Sequence, residues 1–290
     1  MKSASPADEF VPLTVAGEPR RYLLHFPGPS TLRRPAVLML HGAGGSAVWA
    51  RDESQLNPFA DRHDFVVAYP EGLAVDPRRP SAFLKNPQVW NAGAGPGLIV
   101  NRGPDDVAFL DAVLDDLMGR ANIDPQRVYL TGFSNGAAMT FRFAAERGQR
   151  LTAIAPLAGY CPHVQSAVRA VPTLYMVGAD DPLVPVAGGQ VVSPWDGRID
   201  QRPPLADSLA RWATAIGLPP TPRLSSDADG IRIEEFGDAP GAFRCVTIPK
   251  LGHHWPGGLG RLKRSLAGKP SQAVSANEWI WEFFRAAPGS

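Results

Sequence analysis

One nine-residue stretch constrains the fold of this chain more than any other. It runs Val-Tyr-Leu-Thr-Gly-Phe-Ser-Asn-Gly from residue 128 to residue 136. An apolar strand pattern ends there in a Gly-x-Ser-x-Gly turn, and apolar residues at helical spacing follow at once. Side chains at Gly132 and Gly136 would collide with the backbone on either side of Ser134 in such a sharp turn. The pattern predicts a nucleophile elbow with Ser134 at a helix N-terminus, and a plain strand–turn–helix corner with a capping serine is the alternative.

Other short apolar runs predict buried strands that alternate with helices. The strand patterns cover residues 13–15, 22–26, 36–40, 65–69, 153–157, 173–177, 231–236 and 245–248. The helical patterns cover residues 53–62, 105–118, 205–216 and 275–286. This alternation predicts an α/β fold with a mostly parallel central sheet and helices on both faces. We expect a single domain over residues 1–290, with residues 1–10 as a flexible N-terminal tail.

Several chemically active side chains directly follow predicted strands. They are His41, Ser134, the pair Asp180 and Asp181, and His253. Because ligands bind at the carboxyl ends of parallel strands, these side chains should gather at one edge of the sheet. A serine hydroxyl needs a base within hydrogen-bond reach, and the base needs a carboxylate to orient it. The chain order of serine, acid and histidine is the order of an α/β-hydrolase triad, so we predict Ser134 as a nucleophile.

Two adjacent pairs leave the acid and the base open at this point. Asp180 and Asp181 precede a proline, so either acid taken alone is also compatible with a plain turn. His253 and His254 are adjacent, and adjacent histidines can be metal ligands. The sequence has no His-Glu-x-x-His motif and no second cluster at ligand spacing, so we expect no metal.

The loop after the strand at residues 36–40 predicts part of an oxyanion hole. Residues 41–45 run His-Gly-Ala-Gly-Gly. Because this segment has few side chains, a backbone N–H group can approach a substrate. We expect the N–H of Ala43 to act together with that of Asn135 at the helix N-terminus. A glycine-rich loop made for tight packing is the alternative. A phosphate site is disfavoured, because the sequence lacks both common glycine-rich phosphate-binding motifs.

Composition narrows the function classes. The formal net charge is +1 with no basic run, which argues against nucleic acid as a partner. No stretch approaches ~20 consecutive apolar residues, so no membrane span is expected. The N-terminus has no apolar signal core, so we expect a cytoplasmic protein, or a secreted or periplasmic one if a signal peptide was removed. Cys161 and Cys245 fit either free thiols or one disulfide, and no cofactor is implied.

Several segments together resemble the polyhydroxybutyrate depolymerase-like esterases, a family grouped with feruloyl and acetylxylan esterases. The matching segments are residues 41–46, 90–93, 105–109, 127–136 and 252–258. The resemblance implies an α/β-hydrolase fold and a serine carboxylic-ester hydrolase acting through an acyl-enzyme. The acid of the family lies in a Gly-x-x-Asp-Pro-x-x-Pro pattern, which assigns Asp181. The base lies in Gly-His-x-Trp-Pro-Gly, which assigns His253 and leaves His254 at the variable position.

The resemblance also implies the substrate class. We expect small or oligomeric esters of hydroxyalkanoate, acetyl or cinnamoyl type, with a pocket shaped mostly by residues 73–104 and 186–202. Trp90 and Trp255 are candidate substrate-binding residues, with Trp195 as a third, and a packing role is the alternative for each. Many family members carry cysteines after the Trp-Asn-Ala-Gly stretch, and this chain has none there. A serine peptidase of the same fold and a non-catalytic hydrolase-fold binding protein are the competing interpretations.

Overall fold

A ten-stranded sheet forms the centre of the protein. The computed structural model describes residues 7–95, 105–239 and 241–288. The described strands are β1 (Ala7–Val15), β2 (Glu18–Phe26), β3 (Arg34–Leu40), β4 (Val66–Pro70), β5 (Leu73–Ala74), β6 (Gln88–Val89), β7 (Ile123–Phe133), β8 (Ala153–Leu157), β9 (Thr173–Gly178), β10 (Gly189–Val192), β11 (Ile199–Arg202), β12 (Arg223–Ala228), β13 (Ile231–Phe236) and β14 (Phe243–Ile248). The large sheet has the order β1-β2-β4-β3-β7-β8-β9-β14-β13-β12.

The middle of this sheet is parallel and its two edges are antiparallel. Strands β4, β3, β7, β8, β9 and β14 run in one direction. The hairpin of β1 and β2 closes one edge, and β13 and β12 close the other. The α/β architecture expected from the sequence is therefore confirmed, and the carboxyl ends of the parallel strands lie along one edge.

Helices cover both faces of the sheet. They are α1 (Ala47–Ser54), α2 (Leu56–His63), α3 (Asp106–Arg120), α4 (Asn135–Arg147), α5 (Leu205–Ala215), α6 (Arg264–Ala267) and α7 (Ala276–Ala286). The helix expected at residues 53–62 is in fact two helices, because Gln55 adopts a left-handed conformation with φ 55° that ends α1. In α7 the side chain of Trp281 is buried, whereas that of Trp279 is half-buried.

Strand alternation divides the core into two clusters. In β3, the side chains of Leu38 and Leu40 join one cluster, while those of Val37 and Met39 join the other. The first cluster includes apolar residues of α3, α4 and α5, and the second includes those of α1, α2 and α7. Because successive side chains of a strand point to opposite faces, a continuous apolar run is buried on both sides.

The expectation of a flexible tail over residues 1–10 is wrong for residues 7–10, which begin strand β1. Side-chain contacts add to the backbone pairing. Asp8 accepts hydrogen bonds from the Arg51 guanidinium and the Asn57 amide, both at 2.8 Å, and pairs with His25 at 2.8 Å. Residues 1–6 lie outside the described part of the chain.

Two short hairpins lie outside the large sheet. One pairs β5 with β6 inside the segment 73–104, and the other pairs β10 with β11 inside the segment 186–202. The end of the first segment, residues 96–104, lies outside the described residues. Cys161 and Cys245 are buried free thiols. No helix within the described residues combines the length and apolar character that crossing a membrane requires.

Candidate active site

Ser134 lies in a strained turn between β7 and α4. Its backbone has φ 56° and ψ −115°, a conformation that non-glycine residues rarely adopt. The neighbouring glycines make the turn possible: a Cβ at Gly132 would lie 2.4 Å from the Gly136 carbonyl oxygen, and one at Gly136 would lie 2.5 Å from the carbonyl of Leu40. The N–H of Ser134 donates to Leu157 at 2.9 Å. The half-buried Ser134 side chain therefore stands above the sheet edge at the start of a helix.

Asp181 and His253 meet after the ends of β9 and β14. His253 Nδ1 donates to Asp181 Oδ2 at 2.8 Å, and both side chains are almost fully buried. Asp181 Oδ1 accepts the N–H groups of Leu183 and Val184, each at 2.8 Å. The carboxylate is thus held on both oxygens, and its hydrogen bond to Nδ1 leaves Nε2 as the free nitrogen of the ring. Asp180, its neighbour, is exposed.

The second histidine of the pair points elsewhere. His254 is buried and its Nε2 donates to the Gly268 carbonyl at 3.2 Å. Burial lowers the pKa of His254, and the adjacent His253 acts in the same direction. Within the described ranges, no group of three or more His, Cys, Asp or Glu side chains is arranged to hold a metal ion. The structure therefore pairs Asp181 with His253 and separates them from Asp180 and His254.

Two backbone N–H groups near Ser134 have no acceptor in the described part of the chain: those of Ala43 and Asn135. Ala43, Asn135 and Ser134 line the same cleft. The loop that carries Ala43 is fixed by hydrogen bonds on either side, from Gly44 N–H to Gln88 at 2.8 Å and from Gly45 N–H to Gly42 at 2.9 Å. The two N–H groups are thus available to a negatively charged oxygen in the cleft.

His41 supports this loop from below. Its Nδ1 donates to the Gly42 carbonyl at 2.7 Å, and its Nε2 accepts the Gly72 N–H at 2.9 Å. The second bond requires an unprotonated Nε2, so the ring is neutral. Burial lowers the pKa of His41 to about 4, which agrees with that assignment. His41 therefore has a structural role: it connects the loop at Gly42 to the backbone at Gly72.

Trp90 and Trp255 do not line the cleft, contrary to the expectation for them. Trp90 is fully buried; its Nε1 donates to the His41 carbonyl at 2.8 Å and its N–H to Asn135 Oδ1 at 2.6 Å. Trp255 is 1% exposed and its Nε1 donates to Asn277 at 3.1 Å. Both indoles are packing anchors with a satisfied N–H. Trp195, the third candidate, does line the cleft.

A buried ion pair holds the segment that contains Trp90. Asp106 Oδ1 accepts from Arg20 at 2.7 Å, and its Oδ2 accepts the N–H of Asn91 at 2.7 Å. Burial raises the pKa of Asp106, and Arg20 opposes that effect. Asp105, the preceding acid, is the residue that caps α3, through a bond from the Ala108 N–H at 3.0 Å. Asp106 therefore fixes a loop, while its neighbour Asp105 caps the helix.

The cleft above Ser134 has a volume of about 670 Å³. Its walls come largely from residues 75–87 and 191–202, which fall within the two segments expected to shape the pocket. A smaller cavity of about 30 Å³ adjoins it and is lined by Phe133, Ser134 and His253 among others. Among the lining residues, the sequence pattern singled out neither Tyr160, which lies outside the two segments, nor Arg202, which ends the second one. Tyr160 follows β8 by three residues, so its place at the sheet edge was a usable signal, whereas Arg202 gave none.

Comparison with known proteins identifies the family of this chain. Residues 20–194 match the model of the esterase PHB depolymerase family. The chain belongs to this family. It is a carboxylic ester hydrolase of the α/β-hydrolase fold.

Individual relatives agree with the family assignment. NocK of Nocardia uniformis subsp. tsuyamanensis, named as a candidate esterase, is 31% identical over 93% of this chain and 80% of its own length. Poly(3-hydroxyalkanoate) depolymerase C of Paucimonas lemoignei is 26% identical over 80% of this chain and 58% of its own length. Among solved structures, an acetyl xylan esterase from Aspergillus awamori is similar in fold, with a TM-score of 0.63 at 13% identity, covering 96% of this chain and 99% of the esterase.

Proposed function

We propose that Ser134, His253 and Asp181 form the catalytic triad of this ester hydrolase, with the N–H groups of Ala43 and Asn135 as the oxyanion hole. One observation carries the proposal. The buried hydrogen bond between Asp181 and His253 lies at the same sheet edge as the strained turn of Ser134, and Ser134 and His253 line one small cavity. A positioned imidazole beside an elbow serine is the arrangement that nucleophilic acyl transfer needs.

The mechanism follows from these positions. Ser134 Oγ attacks the ester carbonyl carbon while His253 Nε2 takes the hydroxyl proton, and Asp181 stabilises the resulting imidazolium. The carbonyl oxygen becomes an oxyanion that accepts the N–H groups of Ala43 and Asn135. The tetrahedral intermediate then collapses to an acyl-enzyme, and the alcohol leaves with the proton from His253. Water attacks the acyl-enzyme with the same base, which releases the acid and restores Ser134.

The shape of the cleft supports small or oligomeric esters as substrates. A volume of about 670 Å³ lies in the range of sites that enclose a small ligand. A hydrophobic pocket discriminates by only ~1–3 kcal/mol per methylene, so activity should decline gradually with acyl length. We propose that small soluble esters are hydrolysed better than solid polyester. A serine peptidase of the same fold is the weaker alternative, because the matching family and the relatives are esterases.

The nucleophile is tested by labelling. Ser134→Ala should lose nearly all hydrolysis of p-nitrophenyl butyrate while retaining its circular dichroism spectrum. Ser193→Ala is the matched control, because Ser193 lines the same cleft but lies outside the elbow. A serine-reactive phosphonate should label Ser134 in the wild type and in the control variant, as read by peptide mass spectrometry. Labelling of another residue, or near wild-type turnover by Ser134→Ala, would refute the proposal.

A further inference from the structure

Arg202 is a buried cation in the wall of the proposed active-site cleft. It ends strand β11 and lines the cleft together with Ser134. The residue is only 9% exposed, and its side chain 10%. An arginine so deeply buried needs partners for its charge and for its five N–H donors.

The described part of the protein satisfies Arg202 only in part. Its single acceptor there is Asp200, which lies 3.3 Å from Nη2. Asp200 also pairs with Arg198 at 2.9 Å, so one carboxylate serves two guanidinium groups. Arg202 Nε is buried without any acceptor, and Nη1 has none among the described residues either. Part of the guanidinium fork therefore remains open for an acceptor supplied from the cleft.

Arg202 shares its cleft with the reacting centre. A Cβ at Gly159 would lie 2.2 Å from the Ser134 carbonyl oxygen, so the chain at Gly159 packs directly against the elbow. The next residue, Tyr160, interacts electrostatically with both Arg202 and Asp181. Burial raises the pKa of Tyr160 to about 12, so its phenol stays neutral. Arg202 and Ser134 therefore line one cleft, and Tyr160 lies in the same lining.

The wider cleft carries a surplus of positive charge. The charged residues in its lining are four cations, Arg79, Lys85, Arg198 and Arg202, and three carboxylates, Asp76, Asp196 and Asp200. Asp76 is already paired with Arg78. Arg79 and Lys85 have no ion-pair partner within the described ranges. A negatively charged ligand would thus be attracted to the cleft before it reaches Arg202.

We propose that Arg202 binds a free carboxylate on the substrate, so that the enzyme prefers esters that carry a second, ionised carboxyl group. This proposal rests on the proposed function, because it concerns the same cleft and the same acyl transfer. A planar carboxylate matches the guanidinium in charge and in shape, and it would supply the acceptor that Nη1 lacks, since Nη1, unlike Nε, is not fully buried. A monoester of a dicarboxylic acid has such a free carboxylate, and so does an ester formed on the hydroxyl group of a hydroxy acid.

The test compares each carboxylate ester with its neutral carboxamide analogue. On the acyl side the pair is mono-4-nitrophenyl adipate and 4-nitrophenyl adipamate, in which a carboxamide replaces the free carboxyl group. On the alcohol side it is 4-carboxyphenyl butyrate and 4-carbamoylphenyl butyrate, each corrected for its spontaneous hydrolysis. In one of the two pairs, wild-type kcat/KM should favour the carboxylate by about 10- to 100-fold, the range of a hydrogen bond to a charged group in a buried site. This comparison requires no variant, and equal kcat/KM within both pairs would overturn the proposal.

Variants then assign the preference to Arg202. Arg202→Gln should raise KM for the carboxylate ester and bring the ratio within the pair close to one. Arg202→Lys should keep an intermediate ratio, because it retains the charge but loses the fork. Arg223→Gln is the control for net charge; since Arg223 is exposed on β12 and does not line the cleft, it should change the ratio by less than about threefold. A loss in Arg202→Gln that is equal for both esters would show a structural role and reject the proposal.

The outcome also separates this proposal from the proposed triad. Hydrolysis of the carboxamide ester that depends on Ser134 but shows no carboxylate preference rejects only the role of Arg202. Hydrolysis that persists in Ser134→Ala rejects the triad.

Discussion

Asp180 and Asp181 are adjacent in the chain, yet their carboxylates lie in opposite environments. Asp181 is buried and accepts three hydrogen bonds, from His253, Leu183 and Val184. Asp180 is exposed. A single step along the loop after β9 therefore separates a carboxylate that can orient a catalytic imidazole from one that faces solvent.

We expect Asp181→Asn to lower kcat by roughly 10⁴-fold, as when the acid of a triad is made neutral. The amide would favour the wrong tautomer of His253 and could not stabilise its cation. Asp180→Asn removes the same charge one residue away and should change kcat by less than about threefold. Steady-state kinetics on p-nitrophenyl butyrate checks both variants. If Asp180→Asn is the more damaging substitution, the acid has been assigned to the wrong residue.

At the residue scale, local sequence patterns indicated the residues of the candidate site better than they indicated which side chains are buried. The elbow is a local property, because Gly132 and Gly136 are required by contacts within the turn itself. The burial of Trp90 and Trp255 depends on distant partners, His41 and Asn277, which no local pattern reveals. Arg202 lay within the expected segment 186–202, but nothing singled it out, because its burial and its incomplete hydrogen bonding exist only in the folded hairpin of β10 and β11.

At the element scale, the connection between β6 and α3 supports the proposed oxyanion hole. Trp90 donates to the carbonyl of His41 and to the side chain of Asn135. His41 lies two residues before Ala43, and Asn135 itself carries the second of the two proposed oxyanion N–H groups. Asp106 and Arg20 fix the same connection from the far side. The segment that contains Trp90 thus connects the turn after β3 with the turn after β7.

Trp90→Phe should lower kcat for acetate and for longer acyl esters by the same factor. The substitution removes the indole N–H, leaves the buried His41 carbonyl unpaired and should destabilise the protein by about 1–3 kcal/mol. Because Trp90 does not touch the cleft, the chain-length preference should stay unchanged. Trp195→Phe is the contrasting variant, since Trp195 lines the cleft, and it should alter that preference. A panel of p-nitrophenyl esters measures both, and a changed preference in Trp90→Phe would place its ring against the substrate.

The elements that the sequence predicted share a strong local signal. Strands β3, β4, β8 and β9 are buried along their whole length, so their apolar runs are unbroken. Strands β10, β11 and β12 were missed, because they are mostly exposed and polar and their pairing is set by neighbouring strands. The left-handed residue Gln55, which splits one expected helix into two, also has no glycine or proline to mark it.

At the scale of the whole molecule, the proposed site lies where both core clusters meet the carboxyl edge of the sheet. Phe133, next to Ser134, belongs to one cluster, and Ala138, in the first turns of α4, belongs to the other. His41 is fully buried at the same edge. A charge placed on His41 would therefore act on the packed interior as well as on the loop that it supports.

This placement predicts an acid-sensitive contribution of His41 to global stability. The unfolded chain takes up a proton on this ring near pH 6.5, whereas burial lowers the pKa of folded His41 to about 4. Between these values the unfolded state binds more protons, so the free energy of unfolding falls as the pH falls. The stabilisation is fully present above pH 6.5. Below that pH it is lost at up to about 1.4 kcal/mol per pH unit, and the total loss near pH 4 is about 3 kcal/mol. Urea unfolding of wild type and His41→Gln from pH 7.5 to pH 4 measures the difference, in which the other titrating groups cancel. The two stability curves should converge towards pH 4, and parallel curves would mean that His41 takes up its proton equally in the folded and unfolded states.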